Sequence, residues 1–254
     1  DLTAITSIHE NDAGELFAGA GGRFGGVLRR REGRWQLDQD PAGVGKLGVH
    51  GIRRAPDGAL WFCLLALPGD TSRRGGLAVH DGLSWRRLPL DERTYDVCWT
   101  DDGTAYVGTA RGVLRWDGET LQHLDDGTPA SEAKAFALHV DARGRLWSGA
   151  GAYLRGVQRW DSQRARWEVP DEGEWRIAAA GRFALDARGR TWMAGEAGLF
   201  VVQGDDCFRV STRGVTDSSV FWPLLATDDG ATLWIGSLNA ALLLAWSALR
   251  QGDR

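Results

Sequence analysis

Asp141-Ala142-Arg143-Gly144-Arg145-Leu146-Trp147-Ser148-Gly149, followed shortly by Gly156-Val157-Gln158-Arg159-Trp160-Asp161, is the stretch on which the reading of this chain turns. A polar residue and a glycine make a tight turn. A short strand carrying a tryptophan follows, and a second glycine opens a strand that ends at an aspartate. The turn glycine recurs at Gly14, Gly58, Gly103, Gly144, Gly189 and Gly230, at spacings of 44, 45, 41, 45 and 41 residues. An aromatic residue follows three positions later in five copies (Phe17, Trp61, Tyr106, Trp147, Trp192) and four later in the sixth (Trp234). A period in the low forties with strand-like content is the mark of propeller blades.

Each repeat reads as four short strands. The first ends at the turn, as in Gly51-Ile52-Arg53 or Ala137-Leu138-His139. The sixth residue before each turn glycine is always apolar (Ile8, Ile52, Val97, Leu138, Phe183, Leu224), which predicts a packing position in every copy. The turns supply the positive φ that tight hairpins need. The second strand carries the aromatic anchor. The third begins at a glycine, as in Gly112-Val113-Leu114-Arg115-Trp116-Asp117-Gly118, and the fourth is short, as in Trp167-Glu168-Val169. The fold class expected is therefore all-β, a six-bladed β-propeller of four-stranded antiparallel blades, the last possibly incomplete. Six repeats filling 254 residues favour one domain over 1–254, with blades at approximately 1–43, 44–90, 91–130, 131–172, 173–214 and 215–254. Little sequence after Trp246 remains for a fourth strand in the last blade, and residues 1–4 are too few to donate one. A ring of seven or more blades, of which six are present, stays open.

Composition excludes several classes. Net charge is −4 and there is no basic stripe, which speaks against nucleic acid. The run Arg29-Arg30-Arg31 reads as a solvated outer edge. No apolar run approaches the roughly 18 residues that span a bilayer, and no signal-peptide pattern is present. The chain begins at Asp1 without methionine, as a processed or excised piece would. Thirteen Trp fit a core between blades better than an open binding face. Cys63, Cys98 and Cys207 lie in different blades with no C-x-x-C; Cys63 and Cys98 are flanked by apolar or aromatic residues, so buried structural thiols are expected there.

The unit Asp-x-x-Gly-x-Leu-Trp-x-Gly, a loop, then Gly-Val-x-Arg-Trp-Asp resembles the two-component regulator propeller repeat. Its best copies are Asp141–Gly149 with Gly156–Asp161, and Asp101–Gly108 with Gly112–Gly118; Asp186–Gly195 with Gly198-Leu199 is a third. The resemblance covers the whole chain, weakly in blades one and six. It implies a propeller of bacterial extracytoplasmic sensor regions, periplasmic or extracellular, that binds ligands such as glycans, and it implies no catalytic set. Nothing resembles the kinase or receiver parts of such systems. A single segment, Val49–Ile52 leading to Pro56–Phe62, resembles the repeat of streptogramin lyase and related propellers, which implies a lyase- or hydrolase-type enzyme.

Propellers usually place ligands where the inner strands begin, a fold-level analogy. The positions eight residues before each turn glycine are Thr6, His50, Tyr95, Phe136, Gly181 and Trp222, and the next positions include Asp96 and Arg182. Loops between second and third strands add Arg23, Phe24, Arg73, Arg74, Arg111, Tyr153, Arg155 and Asn239. The candidate ligand site is thus His50, Tyr95, Asp96, Phe136, Tyr153, Arg155, Arg182 and Trp222. Aromatic faces with a few fixed polar groups suit a sugar or an aromatic small molecule, and arginine forks suit anions. No cofactor is expected. A central calcium or magnesium site is disfavoured, because hard cations want several oxygen donors and the rim offers only Asp96. His9 and His139 share one repeat position and read as structural histidines. Nucleotide, P-loop, serine-hydrolase-elbow and HExxH templates do not fit. The expected role is a ligand-binding or sensor module. Its alternatives are a propeller enzyme with His50, Tyr95, Asp96 and Arg182 near its centre, and a protein-interaction platform using the Leu67–Gly75 loop.

Overall fold

The computed structural model describes residues 5–21, 25–38, 44, 47–66, 74–149, 157–170, 180–195, 198–212, 221–226, 232–237 and 241–245. Among them every regular element is a β-strand, no α-helix is present, and all strand pairing is antiparallel between chain neighbours. The chain forms two compact units, Asp1–His123 and Leu124–Arg254.

Unit 1 holds three four-stranded sheets. The first is β1 (Ile5–Glu10), β2 (Leu16–Ala20), β3 (Val27–Arg31) and β4 (Arg34–Leu37). The second is β5 (Gly48–Arg54), β6 (Leu60–Leu65), β7 (Gly75–His80) and β8 (Trp85–Arg87). The third is β9 (Thr94–Trp99), β10 (Ala105–Thr109), β11 (Gly112–Trp116) and β12 (Leu121–His123). Unit 2 holds a fourth sheet of β13 (Ala137–Val140), β14 (Leu146–Gly149), β15 (Val157–Asp161) and β16 (Arg166–Glu168). The fifth is β17 (Arg182–Leu185), β18 (Thr191–Gly195), β19 (Gly198–Gln203) and β20 (Asp206–Arg209). The sixth has three strands among the described residues, β21 (Phe221–Ala226), β22 (Thr232–Ser237) and β23 (Ala241–Ala245).

The first hairpin of each sheet turns where the sequence places it. Gly14, Gly58, Gly103, Gly144 and Gly189 all have φ between 72° and 87°, a region that side-chain-bearing residues avoid. Gly230 lies outside the described residues. In sheets four and five the turn is locked by a carboxylate. Asp141 Oδ1 accepts from the Arg143 and Arg145 backbone N–H groups at 2.9 and 3.0 Å. Its Oδ2 accepts from Arg145 Nε at 2.7 Å and from the Trp147 indole at 2.9 Å. Asp186 repeats all four bonds with Arg188, Arg190 and Trp192. Outer hairpins use a different aspartate turn. Asp81 accepts from the backbone of Leu83 and Ser84 and the Ser84 hydroxyl, and Asp117 does the same with Glu119 and Thr120. These donors hold both carboxyls down at about 2.

The two packing positions of the repeat face opposite ways. Phe17 joins Ile52, Leu60 and Phe62 in a cluster between sheets one and two. Trp61 joins Val97, Val107 and Trp116 between sheets two and three. Trp147 packs with Met193 and Phe200 between sheets four and five, and Trp192 with Leu224 and Ile235 between sheets five and six. The anchor aromatic therefore faces the following sheet, and the residue six before the glycine faces the preceding one. Burying one such side chain stabilises by roughly 1.5–3 kcal/mol, a gain that needs the neighbour.

This directionality corrects two sequence expectations. Ile52, Val97, Leu138 and Leu224 are buried, but Ile8 is 60% exposed. Trp234, the sixth anchor, is 46% exposed, and no sheet follows the sixth in unit 2. The Arg29–Arg31 edge is also only partly solvated. Arg30 and Arg31 are exposed, whereas Arg29 is half-buried, pairs with Glu15 and lies over the Phe17 ring at 5.1 Å. None of the three cysteines forms a disulfide. Cys63 is buried as expected, while Cys98, expected to be buried too, is only partly so, as is Cys207.

One buried histidine makes the seam between sheets one and two sensitive to pH. His80 is 4% exposed, with its ring 5.6 Å from Phe17 and 4.9 Å from Trp85. Its Nδ1 accepts the Gly82 N–H at 3.1 Å, which fixes the tautomer protonated at Nε2. Burial and then the Arg29 charge pull its pKa below 6.5, against the opposing carboxylates of Asp38, Asp81 and Glu15. A base whose pKa is lowered on folding is protonated more readily in the unfolded chain. Stability is therefore intact above pH 6.5 and falls as the pH drops toward the folded-state value. His9 is lowered in the same direction, by burial and then by Arg53 and Arg54. Urea unfolding at pH 7.5 and 5.5 is expected to show a lower free energy at 5.5, and a smaller drop in His80→Gln. An undiminished drop in that variant would assign the dependence elsewhere.

Candidate functional site

The inner strand of every sheet begins with a β-bulge. In β1 the register jumps between Ile5 and Ser7, in β5 between Val49 and Gly51, and in β9 between Thr94 and Asp96. In β21 it jumps between Phe221 and Leu224. In sheet four the Phe136 N–H donates to Gly149 O at 2.8 Å while Ala137 also pairs with Gly149. In sheet five the Gly181 N–H donates to Ala194 O at 2.9 Å while Arg182 pairs with Ala194. Two residues thus oppose one at the same place in each repeat. The extra residues are Thr6, His50, Tyr95, Phe136, Gly181 and, in the longer shift of β21, Trp222 with Pro223, the positions that the sequence places at the start of the inner strands. Bulges bend a strand and re-aim its side chains, and they concentrate beside binding sites. The repeat period located these residues; the bulge itself leaves no mark in the sequence.

In unit 1 three of the expected residues come together. His50 is half-buried, and its ring meets that of Tyr95 edge-on at 5.3 Å. His50 Nδ1 lies 2.8 Å from the Tyr95 carbonyl oxygen. A carbonyl only accepts, so Nδ1 carries a proton and donates it to Tyr95 O. Asp96 is 2% exposed, accepts the Val97 N–H at 3.0 Å and pairs with Arg53 Nε at 2.8 Å. The Asp96 carboxylate raises the Arg53 pKa further, against the effect of burial. Burial, and then the same Asp96 charge, pushes the nearby Cys98 thiol well up, against the effect of Arg53. Sequence reasoning placed Asp96 on the rim as a candidate ligand group and overlooked Arg53, its internal partner. The signal was present: Arg53 lies three residues after His50 on the same strand.

In unit 2 Phe136 and Arg182 come together. The Arg182 guanidinium carbon lies 5.8 Å from the Phe136 ring centroid, and Lys134 Nζ lies 5.1 Å from the same centroid. Arg182 is steadied by donating from Nη1 to the Gly181 carbonyl at 2.9 Å. All three side chains are half-buried. Trp222 lies on β21, and its side chain is outside the described part of the structure. Tyr153, Arg155, Arg23, Phe24, Arg73 and Asn239 lie outside the described residues, as does most of the Leu67–Gly75 loop.

Of the paired repeat histidines, His139 is satisfied, with Nε2 3.1 Å from the Thr191 hydroxyl and its ring stacked on Phe183 at 5.7 Å. His9 Nε2 is buried without a hydrogen-bond partner. Among the described residues no group of three His, Cys, Asp or Glu side chains is placed to hold a metal ion, and no helix is long and apolar enough to cross a membrane.

No protein-family model matches the chain, and no curated protein matches it in sequence. Solved structures do. The extracellular domain assigned to a one-component system of B. thetaiotaomicron superposes with a TM-score of 0.71 at 18% identity, over 95% of this chain and 32% of that one. The extracellular domain assigned to a hybrid two-component system of the same organism gives 0.72 at 14% identity, over 91% and 31%. A catalytically inactive virginiamycin B lyase from Staphylococcus aureus gives 0.65 at 11% identity, over 98% and 86%. The chain spans about a third of the length of the two sensor domains. The chain has a propeller-like all-β fold, and its structural neighbours include extracellular domains assigned to bacterial one- and two-component systems.

Proposed function

We propose that this chain is a non-catalytic, ligand-binding propeller of the sensor type, taking a glycan or a small organic or anionic molecule where its inner strands begin. The observation that carries the reading is the repeated bulge, which sets His50, Tyr95 and Phe136 at equivalent inner-strand positions, with two cations against Phe136. Aromatic rings with a few fixed polar groups are the usual lining of a small-molecule site. The likeness to sensor domains supports the same reading, together with an extracytoplasmic location. The finer architecture belongs here too: one domain over 1–254, its six sheets serving as the blades of a single propeller.

A panel of neutral and acidic sugars and small carboxylic acids, read by thermal shift and calorimetry, tests the proposal. Saturable stabilisation without turnover is expected, with at least tenfold weaker binding in Phe136→Ala. No saturable binding by any member of the panel would reject the reading.

An enzymatic alternative draws on His50. Its Nδ1–H is held by the Tyr95 carbonyl, which orients the ring; in the neutral ring Nε2 is then the nitrogen that takes a proton, as general-base catalysis requires. The likeness to a lyase points the same way. Turnover of a panel member, abolished in His50→Ala, would favour it over the sensor reading.

A further inference from the structure

We infer that Arg74, Arg93 and Arg111 form a binding site for a ligand bearing more than one oxyanion, carboxylate or phosphate, where the inner strands of sheets two and three begin. The inference goes beyond the reading above: it concerns unit 1 alone and does not depend on Phe136.

Antiparallel pairing sets the three arginines at one end of these sheets. Gly48 at the start of β5 pairs with Leu65, which pairs with Gly75 at the start of β7, so Arg74 flanks the inner-strand start of sheet two. Thr94 at the start of β9 pairs with Thr109, which pairs with Gly112. Arg111 therefore lies in the hairpin beside the inner-strand start of sheet three, and Arg93 immediately precedes that start. Backbone contacts tie the segments together. The Ala110 N–H donates to the Arg93 carbonyl at 3.1 Å. A Cβ on Gly75 would lie 2.6 Å from the Glu92 carbonyl oxygen and 2.9 Å from Arg93 Cα, so glycine is what lets the two segments come this close.

All three arginines are exposed. Arg111 is held from beneath by a buried carboxylate: its Nε donates to Glu92 Oε2 at 3.2 Å, the Glu92 side chain being 8% exposed and that of Arg111 70%. The hairpin is fixed as well, since the Arg111 backbone N–H donates to the Thr109 hydroxyl at 3.1 Å and that hydroxyl donates to the Gly112 carbonyl at 3.0 Å. Glu92 takes only Nε. Among the described residues the Arg111 Nη groups and the Arg74 and Arg93 guanidinium groups donate no hydrogen bond to the protein. The two Nη groups of a guanidinium form the fork that meets two oxygens of a carboxylate or phosphate.

The neighbouring charges leave a positive excess. Arg87 donates to the Gly75 carbonyl and adds a fourth guanidinium at this end. Opposing them on the same segments are Glu92, committed to Arg111, and Asp91, which accepts the Arg74 backbone N–H at 3.3 Å. Four cations thus face two carboxylates among the described residues, in a chain whose net charge is −4. Like charges gathered this way repel one another, and a bound anion relieves the repulsion. Arginines carried on three separate segments suit repeated negative groups better than a single one. Arg93 was not among the residues read from the sequence, because it lies between repeats, in the connection from β8 to β9.

The test titrates trigalacturonate, inorganic tripolyphosphate and neutral maltotriose calorimetrically into the full chain and into Arg74→Gln, Arg93→Gln, Arg111→Gln and Arg30→Gln. Arg30 is an exposed arginine of sheet one and controls for net charge. Melting curves confirm that each variant is folded. At least one of the two anions is expected to bind about tenfold or more tighter than maltotriose, and to weaken as sodium chloride rises from about 0.05 to about 0.5 M. Arg93→Gln and Arg111→Gln are each expected to lose about fivefold or more and Arg74→Gln less, with Arg30→Gln unchanged. Binding of trigalacturonate alone would assign the site to an acidic sugar and binding of tripolyphosphate alone to a phosphate ligand, and either supports the inference. Anions that bind no better than maltotriose would overturn it. So would anion binding indifferent to both Arg93→Gln and Arg111→Gln, or weakened equally by Arg30→Gln. The reading built on Phe136 stands or falls by its own panel in every case.

Discussion

Replacing Trp147 by alanine is expected to lower the free energy of unfolding by about 3–5 kcal/mol, the usual cost of truncating a large buried aromatic. Trp147 is fully buried and anchors the cluster between sheets four and five with Met193, Phe200 and Val202. The Arg145 and Arg159 guanidinium groups lie over its ring at 5.5 and 5.6 Å. Its indole N–H also satisfies Asp141. Trp147→Phe separates these contributions: it keeps much of the apolar contact and loses the donor, for an expected cost of about 1–3 kcal/mol. A denaturant midpoint for Trp147→Ala within error of the parent would show that the anchor is not part of the core.

Asp141→Ala is expected to cost a comparable 3–5 kcal/mol, although it removes only a small polar side chain. Losing one partner of a buried ionic group is expensive because the other is left uncompensated. Here the substitution strands Arg145 Nε, the Trp147 indole and two backbone N–H groups together. It also frees Arg145, whose other nitrogens hold Asp205 at 2.5 Å and the Gly204 carbonyl at 2.9 Å on sheet five. Hydrogen exchange is therefore expected to quicken along β14 and β19 as well as at the turn itself. Burial pushes the Asp141 carboxyl up, but bonds from Trp147 and Arg145 outweigh it and hold the group below the ordinary carboxylate range. Its stabilisation is present above that range and is lost as the pH falls through the lowered value. Asp141→Ala is accordingly expected to flatten the acid limb of the stability curve. A loss below about 1 kcal/mol would show that the turn forms without its carboxylate.

The architecture was legible because a turn glycine and an anchor aromatic are local requirements. Gly144 must adopt positive φ, and Trp147 must find a neighbouring sheet, whatever the rest of the chain does. The clasp of Asp141 was legible in principle, since Asp-Ala-Arg-Gly-Arg-x-Trp occurs at 141–147 and again at 186–192. Its meaning depended on seeing Oδ2 reach the indole. Ile8 and Trp234 were misjudged because a repeat alignment treats all copies alike, whereas these two copies leave the position 60% and 46% exposed. The site was half legible for the same reason. Periodicity found His50, Tyr95, Phe136 and Arg182, each within its own repeat. It did not reveal that Arg53 neutralises Asp96, that Lys134 joins Arg182 at Phe136, or that a bulge displaces each inner-strand start. Those are contacts between repeats or departures from regular pairing, and hydrophobic spacing carries neither.

The most direct test of the account is a crystal structure of the chain with a bound member of the sugar and acid panel. The ligand is expected against Phe136, at the bulged starts of the inner strands. A ligand seated instead on the outer strands or hairpin tips, with the bulged inner-strand ends untouched, would contradict it.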